Sequence, residues 1–415
     1  MRQEYPFVSI VIPVYNGSNY LQAAIDCALS QTYPNVEVIV VNDGSRDDGA
    51  TESIAQSYGE KIRYFEKVNG GVATALNRGI QEMRGEYFSW LSHDDLYTPD
   101  KIEKQVDALL QTQNRTSIVF SEYDQLDVDS GRVTPIRDSL SYSTEQLTNS
   151  VFPVVNNLIH GCSLLIHRTH FERVGTFDEK LITTQDYDLW FRMFRHQRLI
   201  LVPEALVISR VHEEQGSRTL PQHERERSEL YIHFMNELTE AEMASMYGSP
   251  YFFFYQMRNY CLETGLEPAA RYAEHNFQSA VVPDDLDEKL TQFKNQIEQL
   301  SNGKARKIGI FGAGNYGLQL LQDLKVRRLQ VDFFFDNNPS KWGLAINQVP
   351  CIEPATLGEC KDQVLVIVAA RMPETMVKQM SIKGYPHVYT KQQLDSEWLR
   401  TPPDHRLVPA IDGGR

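Results

Sequence analysis

Residues 7–110 repeat a strand–helix pattern, and this repetition limits the possible folds more than any other part of the sequence. The apolar runs are rich in β-branched residues and do not alternate with polar ones, which is typical of strands buried on both faces. Between them, apolar residues recur four apart, as in Leu21, Ile25 and Leu29, and predict amphipathic helices. These units predict a parallel sheet covered by helices. The predicted strands are residues 8–12, 36–41, 62–66 and 87–91.

Polar residues follow the strand ends, where ligands lie in parallel sheets. Asp94 and Asp95 suit a hard divalent cation that neutralises an anionic leaving group. Asp43 can accept from the ring N–H of a base, Tyr15 can cover the face of a base, and Asp186 can take a proton from an attacking hydroxyl. The four groups are Pro13-Val14-Tyr15-Asn16, Asn42-Asp43-Gly44-Ser45, Ser92-His93-Asp94-Asp95 and Gln185-Asp186-Tyr187-Asp188.

Carboxylates at strand ends also have an ordinary structural role, because they cap the first turns of helices. This alternative applies to Asp43 and to the pair Asp94–Asp95, which precedes a predicted helix at 99–110. We interpret His93 and His160 as structural or solvent-facing.

Composition excludes some classes of function and compartment. The formal net charge of −14 argues against nonspecific nucleic-acid binding. No run of 18 apolar residues is present, and the opening MRQEYPFVSIVIPVYN is not typical of a signal peptide. The five cysteines are scattered without a C-x-x-C pair, so we expect neither a zinc site nor a disulfide framework. We therefore expect a cytoplasmic protein without a transmembrane segment, and peripheral contact with the inner face of a membrane stays open.

The chain divides by pattern into three parts, predicted at residues 1–220, 221–303 and 304–415. The middle part reads as mostly helical. Within it, residues 285–301 carry a narrow apolar stripe formed by Leu286, Leu290, Phe293, Ile297 and Leu300. Such a stripe either packs on its own domain or faces a second copy of the chain, so a homo-oligomer through this helix stays open.

The last part begins a second α/β pattern with a glycine-rich turn. Gly312, Gly314 and Gly317 form G-x-G-x-x-G between a predicted strand and helix, where backbone N–H groups can bind an anion. Asp336 closes the next strand, near the position of a ribose-binding acid. The region is similar to Rossmann-like domains. NAD(P) binding, binding of another nucleotide or sugar nucleotide, and a docking or structural role all stay open.

Six segments in order over about residues 6–220 carry a resemblance to glycosyltransferase family 2. They read VSIVIPVYNG, VVNDGSRDDG, NGGVATALNRGI, GEYFSWLSHDD, HGCSLLIHRTHFERVGTFDE and QDYDLWFRM. The resemblance implies a GT-A fold, a nucleotide-sugar donor, bound Mn²⁺ or Mg²⁺, and inversion at the anomeric carbon.

The resemblance also implies roles for individual residues. Tyr15 and Asp43 would hold the nucleobase, with Pro13, Asn16 and Ser45 shaping the surrounding loops. Asp94 and Asp95 match the acidic motif at the ribose-diphosphate and the metal. Asp186 matches the usual catalytic base, and His212 matches a histidine that reaches the metal or the diphosphate, although an ordinary loop histidine is the alternative.

Two positions depart from the family pattern. Ser92 stands where the acidic motif often begins with aspartate, and Gln185 replaces the glutamate of the usual Glu-Asp pair. A neutral Gln185 spares Asp186 a like-charge repulsion that would raise its pKa. The effect of this replacement on activity stays open.

We therefore expect a hexosyl- or N-acetylhexosaminyltransferase that uses UDP-sugar ahead of dTDP-sugar and acts on a glycan, lipid-linked or other hydroxyl acceptor. A role in polysaccharide biosynthesis at the cell surface, including lipopolysaccharide, is a family-level expectation. Two alternatives remain: an NAD(P)-dependent sugar-nucleotide oxidoreductase or epimerase that uses the C-terminal domain, and a non-catalytic scaffold.

Overall fold

The computed structural model forms two compact units, which are described separately. One comprises Met1–Glu237 with Thr264–Ala269, and the other comprises Leu238–Glu263 with Ala270–Arg415. Both contain sheets and helices, so the predicted α/β class is confirmed. The structure describes residues 5–140, 142–213, 215, 222–370, 373–391, 402–409 and 411.

The first unit contains a five-stranded sheet within the described residues, in the order β3-β2-β1-β4-β8. β1, β2, β3 and β4 pair in parallel, and β8 joins β4 antiparallel. The carboxyl ends of β1, β2 and β4 therefore lie at one edge, as the sequence predicts. The strands are β1 (Val8–Val14), β2 (Val36–Asn42), β3 (Arg63–Glu66), β4 (Tyr87–Trp90) and β8 (Ile166–His167).

The prediction that β1 ends before Pro13 was wrong, because the strand continues to Val14 with every residue buried. Pro13 lies opposite Val41 of β2, whereas the pairing with β4 stops at Val11. A proline lacks a backbone N–H, so it is tolerated where one neighbouring strand has already ended.

A second sheet in this unit has the order β5-β9-β6-β7 among the described strands. Its longest strand, β9, is not among the predicted strands. β9 runs parallel to β6, but the register shifts where Ser121 faces Val202 and Glu122 faces Ala205. The bulge leaves Pro203 and Glu204 without ladder partners, which lets a proline enter an inner strand. The strands are β5 (Leu96–Tyr97), β6 (Ile118–Asp127), β7 (Val133–Ile136) and β9 (Leu199–Val211).

Helices connect and cover these sheets. Their buried residues are mainly apolar, as in α1, where Leu21 and Ile25 face the core. The helices are α1 (Leu21–Leu29), α2 (Ala50–Ser57), α3 (Val72–Glu82), α4 (Lys101–Leu110), α5 (Thr144–Leu147), α6 (Phe152–Val155), α7 (Thr169–Val174), α8 (Gln185–Phe194) and α9 (His223–Glu237).

The second unit contains a six-stranded sheet of described strands in the order β12-β13-β11-β10-β14-β15. All pairs are parallel except β12 with β13. The order places β10 between β11 and β14, as in a Rossmann-like sheet. The strands are β10 (Lys307–Phe311), β11 (Phe333–Phe335), β12 (Ala345–Ile346), β13 (Val349–Ile352), β14 (Val364–Val368) and β15 (His387–Thr390).

The remaining helices follow α9 along the chain. They are α10 (Glu240–Tyr247), α11 (Pro250–Glu263), α12 (Glu267–Ser279), α13 (Leu286–Gln299), α14 (Asn315–Lys325) and α15 (Glu374–Ile382).

The apolar stripe at 285–301 is covered by the chain itself. Leu286, Leu290, Phe293 and Ile297 are all buried, and Phe293 and Ile297 belong to the core on one side of the six-stranded sheet. Leu300 packs against the same core. Of the two alternatives for this stripe, packing on its own domain is the one observed, because its apolar area is already removed from water within the chain.

The carboxyl-terminal segment is more ordered than its proline-rich composition suggests. Asp404 is buried and accepts hydrogen bonds from Arg328 Nε at 2.9 Å and Arg406 Nη2 at 2.7 Å. The Tyr251 hydroxyl donates to the carbonyl oxygen of Pro403 at 2.9 Å. Hydrogen bonds therefore hold residues of the segment 402–409 in place, whereas residues 410 and 412–415 lie outside the described residues.

Within the part of the chain that the structure describes, no helix is both long and apolar enough to cross a membrane. This agrees with the hydropathy of the sequence.

A buried lysine lies in the core of the first unit. Lys101 has no exposed area, and its Nζ donates to Ser89 Oγ at 3.0 Å and Gln105 Oε1 at 2.8 Å. The same atom lies 4.1 Å from the ring centroid of Tyr97. No carboxylate of the described residues forms a salt bridge with it, so burial lowers the pKa of Lys101 to about 7.

We predict that this lysine makes the stability of the protein depend on pH. Between pH 7 and its ordinary pKa near 10.5, the unfolded chain holds a proton that the folded chain has lost. The contribution of Lys101 to stability therefore rises with pH in this window, by at most about 1.4 kcal/mol per pH unit. In thermal unfolding from pH 7 to 9, stability should change with pH more positively in the wild type than in Lys101→Met. Equal pH dependence in the two proteins would contradict the assignment.

Candidate active site

The loops after β1 and β2 are joined by hydrogen bonds. The Asn16 backbone N–H donates to Ser45 Oγ at 2.9 Å, and Asn16 Oδ1 accepts from the Arg46 N–H at 2.7 Å. Asn16 has a φ of 48°, a left-handed conformation that asparagine tolerates better than most residues. The structure thus brings Asn16 and Ser45 together as predicted, while Pro13 lies inside β1 rather than in the loop.

Asp43 follows β2 and is nearly inaccessible, with 3 % of its surface exposed. Its Oδ1 accepts from Lys67 Nζ at 2.5 Å and the Gly70 N–H at 3.0 Å, and its Oδ2 accepts from the Gly71 N–H at 2.7 Å. A carboxylate offers about four lone-pair directions, so one on Oδ2 remains for a further donor. Asp43 therefore organises the loop before α3 and keeps limited capacity for a base.

An open cavity of about 530 Å³ lies beside this carboxylate. Tyr15, at the end of β1, is 43 % exposed and presents its ring to solvent. An exposed aromatic ring can stack on a planar group such as a nucleobase. The cavity is lined by Gly44, Ser45, Arg46, Glu66, Lys67, Val68 and Asn69.

Asp94 lies in the loop between β4 and β5, against the end of β9. Its Oδ2 is 3.1 Å from His212 Nε2, and its backbone carbonyl accepts from Arg210 Nη1 at 3.0 Å. Tyr20, at the start of α1, contacts both partners: its ring centroid is 5.3 Å from that of His212 and 5.1 Å from the Arg210 guanidinium. His212 is thus fixed next to Asp94, whereas the sequence grouped it with Asp95 as a metal ligand.

Asp95 is buried, with 4 % of its surface exposed, and it holds the centre of the site together. Its Oδ1 accepts from the Arg210 N–H at 2.9 Å. Its Oδ2 accepts from the Cys162 thiol at 3.3 Å and lies 3.7 Å from His160 Nε2. Burial and the neighbouring Asp94 charge raise the pKa of Asp95 well above its ordinary value. A divalent cation beside these carboxylates would offset both effects.

Cys162 has no predicted role, and His160 is predicted to be structural or solvent-facing, but both lie beside Asp95. Ligand atoms of Asp95, His160 and Cys162 all lie within 4.8 Å of one another. His160 Nδ1 accepts from the Cys162 N–H at 3.3 Å, and Nε2 is 3.1 Å from Ser209 Oγ. Burial lowers the pKa of His160 to about 4, so the ring is neutral and carries its proton on Nε2 in this arrangement.

This donor set fits a hard cation mainly through carboxylate oxygen. Burial raises the pKa of Cys162 far above its ordinary value, so the thiol stays protonated and donates to Asp95. His160 presents a proton towards Asp95 and Ser209 rather than a lone pair. Asp95 is therefore the residue of this cluster that suits Mg²⁺ or Mn²⁺, and His160 and Cys162 position its carboxylate.

Asp186 lies in the first turn of α8 and lines a separate cavity of about 270 Å³. Its Oδ1 accepts the Tyr187 N–H at 2.9 Å, and burial raises its pKa to about 6. The Tyr187 hydroxyl donates to the Ile159 carbonyl at 2.7 Å, next to His160. Gln185 Oε1 is buried without a hydrogen-bond partner among the described residues. A carboxylate with a pKa near neutrality in a cavity can serve as a general base.

Two neighbours of Asp186 are structural. Asp188 binds Arg192 through contacts of 2.7 and 3.0 Å, and Arg192 donates to the carbonyl oxygens of Val174 and Thr176. Trp190 has no exposed area and stacks on Phe194, so it cannot line an acceptor site.

The glycine-rich turn of the second unit has the predicted place between β10 and α14. A Cβ on Gly317 would lie 1.8 Å from the Gly312 carbonyl oxygen, so Gly317 is required by close packing. Gly314 faces open space. Asp336 accepts a hydrogen bond from the Ala313 N–H at 2.9 Å and another from Lys341 Nζ at 2.8 Å. Its carboxylate therefore stabilises the glycine-rich turn through contacts within the second unit. A nucleotide at this turn stays a prediction.

Comparison with known proteins agrees with these observations. The family described as "Glycosyl transferase family 2" matches residues 9–175, and a second one, "C-methyltransferase C-terminal domain", matches residues 256–384. An uncharacterized glycosyltransferase of Rickettsia bellii is 49 % identical over 271 residues, which cover 65 % of this chain and 39 % of the relative. One of Rickettsia typhi is 50 % identical over 248 residues, which cover 60 % of this chain and 77 % of the relative.

The chain spans about two fifths of the length of the first relatives it matches. Among solved structures, TarS of S. aureus (residues 1–349) in complex with UDP-GlcNAc has a TM-score of 0.52 at 17 % sequence identity. The match covers 70 % of this chain and 86 % of the TarS chain. At this identity the likeness shows a shared fold.

We predict that Asp95, rather than Cys162, determines Mn²⁺ binding. With UDP present, Asp95→Asn should weaken Mn²⁺ affinity by on the order of tenfold or more, because it removes a carboxylate charge. Cys162→Ser should bind nearly as the wild type does, because serine still donates to Asp95. The loss of the free-ion signal in Mn²⁺ electron paramagnetic resonance measures both. Retained binding in Asp95→Asn together with lost binding in Cys162→Ser would reverse the assignment.

Proposed function

Because the chain belongs to glycosyltransferase family 2, we propose that its first unit transfers a sugar from a UDP-sugar to an acceptor hydroxyl with inversion of configuration. The observation that carries the proposal is the buried carboxylate of Asp95, held by the Arg210 N–H beside a second carboxylate, Asp94. Burying two neighbouring carboxylates costs free energy when no positive charge is present, and a cation that accompanies a diphosphate lowers that cost.

The donor would lie along the carboxyl edge of the five-stranded sheet. Tyr15 would cover the base, and the remaining lone pair of Asp43 would accept from its ring N–H. Asp95 would hold Mn²⁺ or Mg²⁺, which when bound stabilises negative charge on the leaving diphosphate. Asp94 and His212 would bind at the ribose-diphosphate or the metal. The bound UDP-GlcNAc of TarS is consistent with a UDP donor, since the two proteins share a fold.

Asp186 would take the acceptor proton in a single displacement. The acceptor oxygen forms a bond to the anomeric carbon, the bond from that carbon to the phosphate oxygen breaks, and the proton passes to the Asp186 carboxylate. UDP leaves with the electron pair of the broken bond. No enzyme nucleophile is needed, and inversion follows from attack opposite the leaving group.

The proposal also covers the kind of sugar that is transferred and the kind of acceptor that receives it. A hexose or N-acetylhexosamine donor and a role in the assembly of surface polysaccharide are the expectations that the family resemblance supports. Release of UDP from a panel of nucleotide sugars by the purified protein tests the donor. Absence of UDP release or transfer with every donor would favour the scaffold alternative. NAD(P)H-dependent reduction of a sugar nucleotide would favour the oxidoreductase.

We predict that Asp186→Asn lowers turnover by a factor on the order of 10² or more while donor binding is retained, as expected for loss of a general base. Asp188→Asn is the matched control two residues along the same helix. It should lower the melting temperature, because it releases Arg192, and should leave turnover near the wild-type value. Steady-state UDP release and calorimetry of UDP binding measure these effects. Unchanged turnover in Asp186→Asn would refute the base assignment.

We also predict an acid limb in the pH dependence of turnover. The base must be deprotonated, and burial raises the pKa of Asp186 to about 6. Turnover should therefore fall as pH drops below about 6 and level off above it. A limb near pH 4, the ordinary range of aspartate, would show that the carboxylate is solvated during the reaction and not in the cavity described here.

A further inference from the structure

The carboxylate of Asp43 is held by a lysine that has no part in the proposed reaction so far. Lys67 lies in the loop after β3, and its Nζ donates to Asp43 Oδ1 at 2.5 Å. The same atom donates to the Val68 carbonyl oxygen and to Thr74 Oγ1, both at 2.7 Å. An ammonium group has three N–H donors, so these contacts use all of them. Lys67 is therefore fixed in place against the carboxylate.

Two glycines let the loop that carries Lys67 approach the carboxylate this closely. A Cβ on Gly70 would lie 2.8 Å from Thr74 Oγ1 and 3.2 Å from Lys67 Nζ. A Cβ on Gly44 would lie 2.7 Å from the Asn69 backbone nitrogen and 2.9 Å from the Lys67 carbonyl oxygen. A side chain at either position would displace the loop, so both glycines favour the contact that Lys67 makes.

The two carboxylate oxygens of Asp43 keep unequal capacity for further hydrogen bonds. Oδ1 accepts from Lys67 Nζ and from the Gly70 N–H, so both of its lone-pair directions are used. Oδ2 accepts only from the Gly71 N–H among the described residues, so one direction remains. Asp43 can therefore accept one further hydrogen bond, and a ligand with two adjacent donors cannot bind both oxygens at once.

Nucleobases differ in the number of donors that they present to such a carboxylate. Uracil and thymine have a single ring N–H, which lies between two carbonyl groups. Guanine has two adjacent donors, a ring N–H and the 2-amino group, and these match a carboxylate with both oxygens available. At Asp43 one of the two guanine donors would find no acceptor, and a polar group that loses water without gaining a partner weakens binding.

We propose that Lys67 determines the choice of nucleobase, because it occupies Asp43 Oδ1 and so excludes the two-donor edge of guanine. This inference rests on the proposed function, in which Asp43 accepts from the base, and it names the residue that selects a uracil or thymine nucleotide. Lys67 acts through Asp43, so it is a positioning residue. Without this lysine, the same aspartate would bind guanine through both oxygens.

The test compares GDP with inosine diphosphate (IDP), which differ only in the 2-amino group that guanine has and hypoxanthine lacks. The full chain is used with Mn²⁺, and the dissociation constants of UDP, GDP and IDP are measured by calorimetry. In the wild type we expect UDP to bind more tightly than GDP, and GDP to bind no more tightly than IDP. A loss of affinity that affects all nucleotides cancels in the ratio of the GDP and IDP constants, so a merely structural role of Lys67 would not change this ratio.

Lys67→Met should turn the 2-amino group into a favourable contact. The substitution removes one donor from Oδ1, so GDP should bind about tenfold more tightly than IDP, which corresponds to about 1.4 kcal/mol. Lys61→Met is the matched control, because it also removes one positive charge, and Lys61 is exposed in the turn before β3. It should keep the wild-type ratio. Melting temperatures without ligand confirm that both variants are folded.

Four results would overturn the inference. In the wild type they are GDP binding as tightly as UDP, and GDP binding more tightly than IDP. In the variants they are a wild-type ratio in Lys67→Met, and an equal change of the ratio in Lys61→Met. The first two need no variant, so the inference can be refuted even if Lys67→Met does not fold.

The binding of UDP to the wild type separates this inference from the proposed function. If UDP binds and Lys67→Met keeps the wild-type ratio, the inference about Lys67 fails while the proposed function stands. If UDP does not bind, the proposed function fails, and the inference fails with it.

Discussion

The burial of one carboxylate organises the first unit. Asp95 is buried next to a second acid, Asp94. The free energy cost of burying its carboxyl group is reduced by three neighbours: the Arg210 N–H, the Cys162 thiol and the neutral His160. These partners come from β9 and from the segment before β8, so two distant parts of the chain must fold correctly to satisfy one side chain. The surroundings of Asp95 are therefore a product of tertiary structure and not of the acidic motif alone.

The parts of this site that the sequence predicts are those encoded locally. Continuous apolar runs identified β1, β2 and β4, and parallel pairing then places Asn16, Asp43 and Asp94 at the same edge. Asp186 was found through the family pattern, and its raised pKa comes from burial with no carboxylate neighbour, as a neutral Gln185 allows. The α/β class and the glycosyltransferase family therefore follow from the sequence alone.

The contacts around Asp95 were not accessible in this way, because they depend on pairings between residues more than 60 positions apart. β9 could not be predicted from its sequence, because it contains Pro203 and a proline within an apolar run argues against an inner strand. His160 and Cys162 stand in a motif that was recognised, but their types do not reveal that one donates to the other or to Asp95.

The bulge in β9 has a consequence for how the protein can change. Downstream of Pro203, the Ser209 hydroxyl contacts His160, the Arg210 backbone N–H donates to Asp95, and the His212 ring contacts Asp94. A one-residue change in the length of the strand reverses the direction of every side chain and N–H group that follows, so it would displace all three contacts at once. A substitution at Ser209 or His212 would remove one side chain and leave the Arg210 N–H in place. The spacing along β9 therefore sets the positions of these groups around Asp94 and Asp95, and loss or gain of one codon there would be more damaging than a missense change.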